Sequence, residues 1–460
     1  MCTKRRPNQR LRAALAEAGW TGQQLAAAVN KVGAEIGLDL HYDRTAVAHW
    51  MEGMRPRPPV PDVLAEALSR RLARTVTTGD LGLAPPNRTG KNPGPPGDGT
   101  RAGGPWGTGI VAELARLAGS QDGRPSPAGA PYALAALAVP SWPQAAAAPQ
   151  GVDAPDRDAA QRPLGRADVE TVEAMTRVFS TSDAAFGGGS ARRALAAYLA
   201  HDVAPRLRAP AGAGVRRRLY SAAAQLTYLC AFMCFDDELH GVAQRYYRAA
   251  LQLAVEGGDP VFYAVTLRAM SVQARALGHA RHAIQLAETA ADAGKRTGPL
   301  REAFLRGQLA VAHAADGDRN DAFTSLTAAE RGLDQSTSSN QTTVGAYHPA
   351  SLAHQQAAVR ALLGDRTGAI ATLASSIPHR PVTERRSHAL TLARLAELQF
   401  DQGHLEEATG TWHLFLDDYP QLRSGRATTA LKTLRSRIRP RAANPMAKAL
   451  MVRATRLTNA

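Results

Sequence analysis

The sequence predicts an all-α protein, and three features carry that prediction. Ala dominates an apolar fraction of 44%, while aromatics supply only 5%, and Ala- and Leu-rich runs favour helices. Apolar residues recur at helical spacing, as in Leu11, Ala14, Leu15 and Ala18. No block of alternating β-branched residues marks a strand. At 460 residues the chain is too long for one ordinary core, so two or more domains are expected.

The first predicted helix covers residues 8–19 and stops at Gly19. Thr21-Gly22-Gln23-Gln24 is a capping box, in which the Thr21 hydroxyl accepts from the N3 amide and Gln24 reaches back. The helix that follows buries Leu25, Ala28 and Val29. Val32, Gly33 and Ile36 continue its stripe, so this helix lengthens and residues 38–42 fold back. Asp43 is the N-cap of a third helix that runs to Gly53. Val47, Trp50 and Met51 share its inward face, which leaves Arg44, Thr45, Ala48 and His49 on another. A fourth helix spans about 61–73, with Pro61 in its first turn and Val63, Leu64, Ala67, Leu68 and Leu72 inward.

The residues Trp20-Thr21, Gln24-Leu25-Ala26, Asp43-Arg44-Thr45, Val47, Trp50, Gly53, Arg55, Leu64-Ala65 and Asp80-Leu81-Gly82-Leu83 carry a resemblance. Over residues 8–83 the chain resembles the Cro/C1-type (XRE) helix-turn-helix family. The resemblance implies that the third helix enters the major groove of double-stranded DNA. Arg44, Thr45 and His49 then stand where that family reads base edges. Thr21, Gly22 and Gln23 stand where the second helix meets phosphate. Arg55 and Arg57 follow the recognition helix and would neutralise backbone charge. One departure is the connection between helices two and three. The family turns in about four residues, whereas residues 30–42 intervene here, which leaves the docking pose open.

Residues 84–164 hold 14 of the 29 prolines and 12 of the 40 glycines, including Pro93-Gly94-Pro95-Pro96. Such a stretch is expected to be a flexible tether, with one short helix at 109–118 where Ile110, Val111, Leu114 and Leu117 make a stripe.

From residue 165 the chain is expected to form helical hairpins. Ala243, Ala283, Ala322, Ala369 and Ala408 align at intervals of 40, 39, 47 and 39 residues. Each follows a short turn, and each is followed four residues later by a side chain that fills the next gap, such as Tyr247, Leu326, Leu373 or Trp412. This array resembles tetratricopeptide (TPR) repeats with lengthened helices, since the usual period is about 34 residues. Another α-solenoid remains the alternative. Polar residues on the first helix of each repeat, Gln225, Arg268, Arg306, Gln356 and Arg394, are expected to line a concave wall for a peptide, small ligand or partner protein. Residues 165–422 form this domain, and 423–460 form basic helices, about 424–438 and 445–457, that cap it.

Ahead of the repeats stand Asp168-Val169-Glu170, Phe186-Gly187-Gly188-Gly189-Ser190, Tyr198-Leu199 and Val203-Ala204-Pro205. They resemble a block in actinobacterial regulators that join this helix-turn-helix to a TPR domain, some of which control differentiation and antibiotic production. That resemblance implies transcriptional control from the nucleoid and a homodimer on paired half-sites. The other reading is a TPR adaptor that binds proteins and never DNA.

The net charge of +15 sits at the ends. Residues 1–83 carry 12 Lys and Arg against 8 acids, residues 84–422 carry 33 against 32, and residues 423–460 carry 10 against none. Basic ends suit a polyanionic partner.

No catalytic motif, cofactor or metal is expected. The triple glycine lacks a following Gly-Lys-Ser/Thr, so it is a turn rather than a phosphate cradle. Cys230 and Cys234 are spaced as two ligands on one helix face, but packing thiols are the better reading. Asp236-Asp237-Glu238 is expected to open a helix, where carboxylates suit the dipole. Three cysteines make no disulfide framework, which fits a reducing cytoplasm. No apolar run follows Arg5-Arg6, so export is not expected, and none approaches the ~20 residues of a membrane span.

Overall fold

The computed structural model describes residues 6–36, 38–72, 74–84, 109–119, 131–147, 163–295, 297–336 and 347–458. Cys2 and the Pro93–Pro96 cluster lie outside these residues. All regular structure among them is helical, apart from one parallel bridge between Leu164 and Ala211. The chain divides into two compact units. The first comprises residues 1–108, 123–140 and 239–245, and the second 109–122, 141–238 and 246–460.

The first unit contains α1 (Gln9–Glu17), α2 (Gly22–Ala34), α3 (Arg44–Met51) and α4 (Val60–Leu72). Their inward faces meet in a core built on Leu11, Leu15, Leu25, Val29, Val47, Trp50, Val63, Leu64, Leu68 and Leu81. Each such side chain contributes about 1.5–3 kcal/mol over its exposed state. The capping box at Thr21 forms as read: Gln24 N donates to Thr21 Oγ1 (3.3 Å) and Thr21 N to Gln24 Oε1 (2.8 Å). A stretch of the expected tether also belongs to this unit, with Tyr132, Leu134, Ala136 and Leu137 buried around a single 3₁₀ turn, Leu134–Leu137.

The second unit contains α5 (Ile110–Gly119), α6 (Trp142–Ala147), α7 (Arg166–Phe186), α8 (Gly188–Tyr198), α9 (Ala204–Arg208) and α10 (Ala213–Asp236). It continues with α11 (His240–Glu256) from residue 246 onward, α12 (Pro260–Ala276), α13 (Ala280–Ala293), α14 (Pro299–Asp316), α15 (Arg319–Asp334), α16 (Pro349–Leu362) and α17 (Arg366–Ser376). The last elements are α18 (Arg385–Asp401), α19 (Leu405–Asp418), α20 (Gly425–Ile438) and α21 (Pro445–Thr458). The expected tether helix is thus α5, which packs its Ile110, Val111, Leu114 and Leu117 against α8 and α9.

Helices α12 to α19 pair as four antiparallel hairpins. The five aligned alanines are all fully buried, at 0% exposure, so nothing larger fits where the helices cross. The turn before each of the last four holds Gly278, Gly317, Gly364 or Gly403 at φ between 84° and 92°. Only glycine adopts that left-handed conformation without strain, which stops one helix and starts the next.

The array closes on itself. Helix α18 packs against α7, and α20 packs against α18. The amide of Arg423 donates to Phe186 O (2.7 Å), and Gly189 N donates to Arg423 O (2.8 Å). The triple glycine makes the junction of α7 and α8, with Gly187 between them and Gly188 and Gly189 opening α8, and the closure explains its composition. A methyl group at Gly188 would overlap the backbone of Met233, and one at Gly187 would overlap Arg423 O.

One expectation is overturned here. Asp236-Asp237-Glu238 closes α10 instead of opening the next helix, which begins at His240. Glu238 takes φ 61°, the left-handed end of a helix. The Asp236 carboxylate does meet a helix N-terminus, but that of α8: Gly188 N donates to its Oδ2 (2.9 Å).

Among the described residues no helix is long and apolar enough to cross a membrane.

Candidate nucleic-acid interface

The candidate surface is built on α3, and its geometry begins at Asp43. The Asp43 carboxylate accepts from Thr45 N and Ala46 N, both at 2.9 Å, and so fixes where α3 starts. The Ala46 hydrogen bond, followed by that of Thr45, holds the Asp43 pKa below the usual carboxylate value. Val47 and Trp50 anchor the inward face at 0% and 3% exposure. The opposite face presents Arg44, Thr45 and His49, all exposed.

The connection from α2 to α3 is held rather than loose. Asn30 clamps it with two hydrogen bonds, Nδ2 donating to Tyr42 O and Tyr42 N donating to Oδ1, each 2.9 Å. Ile36 and Leu40 pack on the core, and Leu40 lies so close to Gly33 that a methyl there would overlap it. Tyr42 meets Trp50 edge to face at 4.9 Å. The extra residues therefore lengthen the connection and leave α3 anchored.

Thr21 and Gln23 are exposed, and Gly22 is half-buried against Val47 and Arg44 O, so the start of α2 abuts α3. Arg55 and Arg57 are exposed, and Arg55 Nη2 donates to Ala84 O at 2.5 Å. These eight predicted residues lie on consecutive elements of one unit. Arg10 and Arg12 on α1, which the sequence reading did not single out, add exposed positive charge. Their side chains donate to Gly79 O (2.9 Å) and Met51 O (3.4 Å).

The same unit holds a charged group that is mostly buried. Arg70 of α4 forms a two-point pair with Glu35, at 2.7 and 2.8 Å, and its Nε donates to Glu66 (2.8 Å). Glu66 also accepts from Leu134 N (3.3 Å), and Arg70 donates to Tyr132 O (3.3 Å). Burial pushes the Glu66 carboxyl up to about 7, and Arg70 offsets this only in part. Between pH 4.5 and 7 the folded state therefore holds a proton that the unfolded chain has lost. The contribution of Glu66 to stability accordingly falls as pH rises through that window and is flat above it. Glu66→Gln is expected to remove this slope, on the order of 2–3 kcal/mol. Hydrogen-exchange protection factors of α4 amides in the whole protein at pH 5.5 and 8 measure it.

In the second unit Arg394 is exposed, whereas Gln225, Arg268, Arg306 and Gln356 are half-buried. Gln356 donates to Glu330 (2.7 Å), and Arg268 lies 3.8 Å over the Phe304 ring. The expected wall therefore consists partly of side chains already engaged. Cys230 and Cys234 are free thiols at 0% exposure, as packing residues are. The only grouping of three metal-ligating side chains among the described residues is His313, Asp318 and Asp321, two of them exposed carboxylates at a helix start.

A family model described as the SP15 N-terminal domain matches residues 11–84. That span holds α2, α3, α4 and nearly all of α1. No curated protein matches the chain.

Proposed function

We propose that the chain is a sequence-specific DNA-binding transcriptional regulator whose second unit senses a peptide, small ligand or partner protein. The observation that carries this reading is the exposed row Arg44, Thr45 and His49 on a helix capped by Asp43 and pinned by Val47 and Trp50. A rigid helix with a polar, partly cationic first turn matches what a recognition helix needs in the major groove. Arg44 can pair bidentately with guanine N7 and O6, Thr45 can donate or touch a thymine methyl, and His49 can contact either groove atom. Thr21, Gly22, Gln23, Arg55 and Arg57, with Arg10 and Arg12, would hold phosphates on either side. A homodimer would place two such helices on successive half-sites, in a cytoplasmic, nucleoid-associated protein that controls differentiation or secondary metabolism.

Enrichment of genomic fragments on the purified chain, followed by mobility shifts on the recovered sequences, tests this. Affinity is expected to fall by about two to three orders of magnitude between about 50 and 200 mM salt, as release of counterions from about five phosphates requires. Arg44→Ala is expected to lose about 1–3 kcal/mol of discrimination between the recovered site and random DNA, with little change on random DNA. Absence of any enriched sequence, with binding indifferent to salt, would support the protein-binding adaptor instead.

A further inference from the structure

We infer that His313, Asp318 and Asp321 form a binding site for one divalent transition-metal ion of the zinc class, at the turn between α14 and α15. The site is independent of the DNA-binding reading.

The same turn recurs along the second unit. In each of its last four copies a glycine takes a left-handed φ, and the next residue donates its amide back across the turn. These bonds are His279 N to Ala274 O (2.9 Å), Asp318 N to His313 O (3.0 Å), Asp365 N to Arg360 O (2.8 Å) and His404 N to Gln399 O (2.9 Å). This is the Schellman arrangement, which sets the side chains at its two ends against one another. Three residues beyond the second end, in the first turn of the next helix, stand His282, Asp321, Gly368 and Glu407. Of the four, only the turn at Gly317 has a His, Cys, Asp or Glu at all three places.

In that turn the ligand atoms of His313, Asp318 and Asp321 all lie within 4.8 Å of one another. His313 is only 9% exposed, so packing holds its ring in place. Yet among the described residues the ring makes no hydrogen bond and no ion pair. A buried polar group without a partner is costly, and this one faces two carboxylates. The following turn shows the closed alternative. There Arg360 takes the place of His313 and pairs directly with Asp365 (3.3 Å). The His313 ring stands too far from either carboxylate for such a pair, but close enough for all three to share an ion. An ion bound at about 2.0–2.2 Å holds its donors roughly 3.4 Å apart in tetrahedral geometry. The two exposed carboxylates therefore need to close by at most about 1.5 Å, within reach of side-chain rotation.

Both carboxylates have oxygen to give. Asp318 uses Oδ1 to cap α15, where it accepts from Asp321 N (3.1 Å). Among the described residues the Asp321 carboxylate makes no hydrogen bond or ion pair. The cation between them, Arg319, is engaged by Leu363 O (3.4 Å) and the Phe323 ring (5.9 Å).

The donor set selects the ion. One imidazole nitrogen with two carboxylates suits zinc and cobalt(II). Calcium and magnesium take shells of oxygen, which an imidazole interrupts. Three protein donors leave a fourth position for water on the exposed side. The bound ion would tie the end of α14 to the start of α15.

Equilibrium dialysis of the metal-free full chain against zinc, calcium and magnesium, with visible absorption of the cobalt(II) form, tests the assignment. Zinc is expected to bind more tightly than calcium or magnesium. Asp318→Asn and Asp321→Asn are each expected to weaken zinc at least tenfold. Both positions are exposed, and Asn caps a helix about as well as Asp, so these variants keep the fold. His313→Gln is expected to give the same loss and to remove the cobalt absorption of this site; should its buried position make it unfold, the two Asn variants still decide. Asp365→Asn, at the equivalent place in the following turn, is expected to leave zinc affinity unchanged. Zinc affinity unchanged in Asp321→Asn, an equal loss in Asp365→Asn, or preference for calcium over zinc would each overturn the assignment.

Discussion

Asp236→Ala is expected to destabilise the second unit by about 3–5 kcal/mol, the cost of breaking a buried ion pair from one side. Asp236 has 0% exposure and holds three partners at once. Arg426 donates to its Oδ1 through Nε (3.0 Å) and Nη2 (2.8 Å), Arg386 pairs with the same oxygen (3.4 Å), and Gly188 N binds the other (2.9 Å). Burial alone would raise its pKa, but Arg386 and then Arg426 pull it down to about 2, so the carboxylate is charged at any working pH. Removing it leaves Arg426, over Phe235, without its carboxylate, and leaves Arg386, over Phe232, with Asp183 alone. These partners come from α8, α18 and α20, so the damage falls on the junction where the array closes. Calorimetry of the full chain should show the transition of the second unit shifted down and broadened. Asp236→Asn should fall between the two, since it keeps acceptors but not charge. A melting curve unchanged in Asp236→Ala would mean that the cluster does not hold the closure.

That junction also marks where sequence reading stops. The capping box at Thr21, the cap at Asp43 and the buried alanines were legible because each is decided within a few residues. Asp236-Asp237-Glu238 offers the same local signal as a helix start. The helix instead ends in a backbone turn at Glu238, and the Asp236 carboxylate is taken by Arg426, 190 residues away. No local pattern carries that information. The triple glycine was legible as a turn, while its cause, the backbone of Met233 and Arg423 pressed against it, was not.

The candidate surfaces divide in the same way. Arg44, Thr45 and His49 follow from helical spacing once Val47 and Trp50 are taken as inward, and the structure leaves them exposed. The wall expected in the second unit was only partly legible: Arg394 is exposed, whereas Gln225, Arg268, Arg306 and Gln356 are half-buried, because helical spacing tells which face is polar but not what packs beside it. Glu66 was hidden for a different reason. It occupies an ordinary polar position of α4, and its burial depends on Tyr132 and Leu134 from a stretch that composition assigns to a tether.

Trp50→Ala is expected to cost about 3–5 kcal/mol and to disorder α3 before it touches any contact surface. Trp50 is 3% exposed and packs among Leu11, Val47 and Leu64, with Tyr42 against its edge. It is the largest anchor on a helix of eight residues, and eight residues do not hold a helix without tertiary packing. The unit that must absorb the loss is small, so a few kcal/mol is a large part of its stability. Hydrogen exchange in the whole protein should show protection lost first at residues 44–51 and then across the first unit, with the second unit unchanged. Trp50→Phe should keep most of the protection, because the ring still fills the space beside Tyr42. The proposed function adds a consequence that separates support from contact. Trp50→Ala should abolish preference for the recovered DNA site even though Arg44, Thr45 and His49 are all intact, whereas Arg44→Ala should weaken it by about 1–3 kcal/mol with protection at 44–51 unaltered. If Trp50→Ala keeps full sequence preference while that protection is lost, a rigid α3 is not what reads DNA.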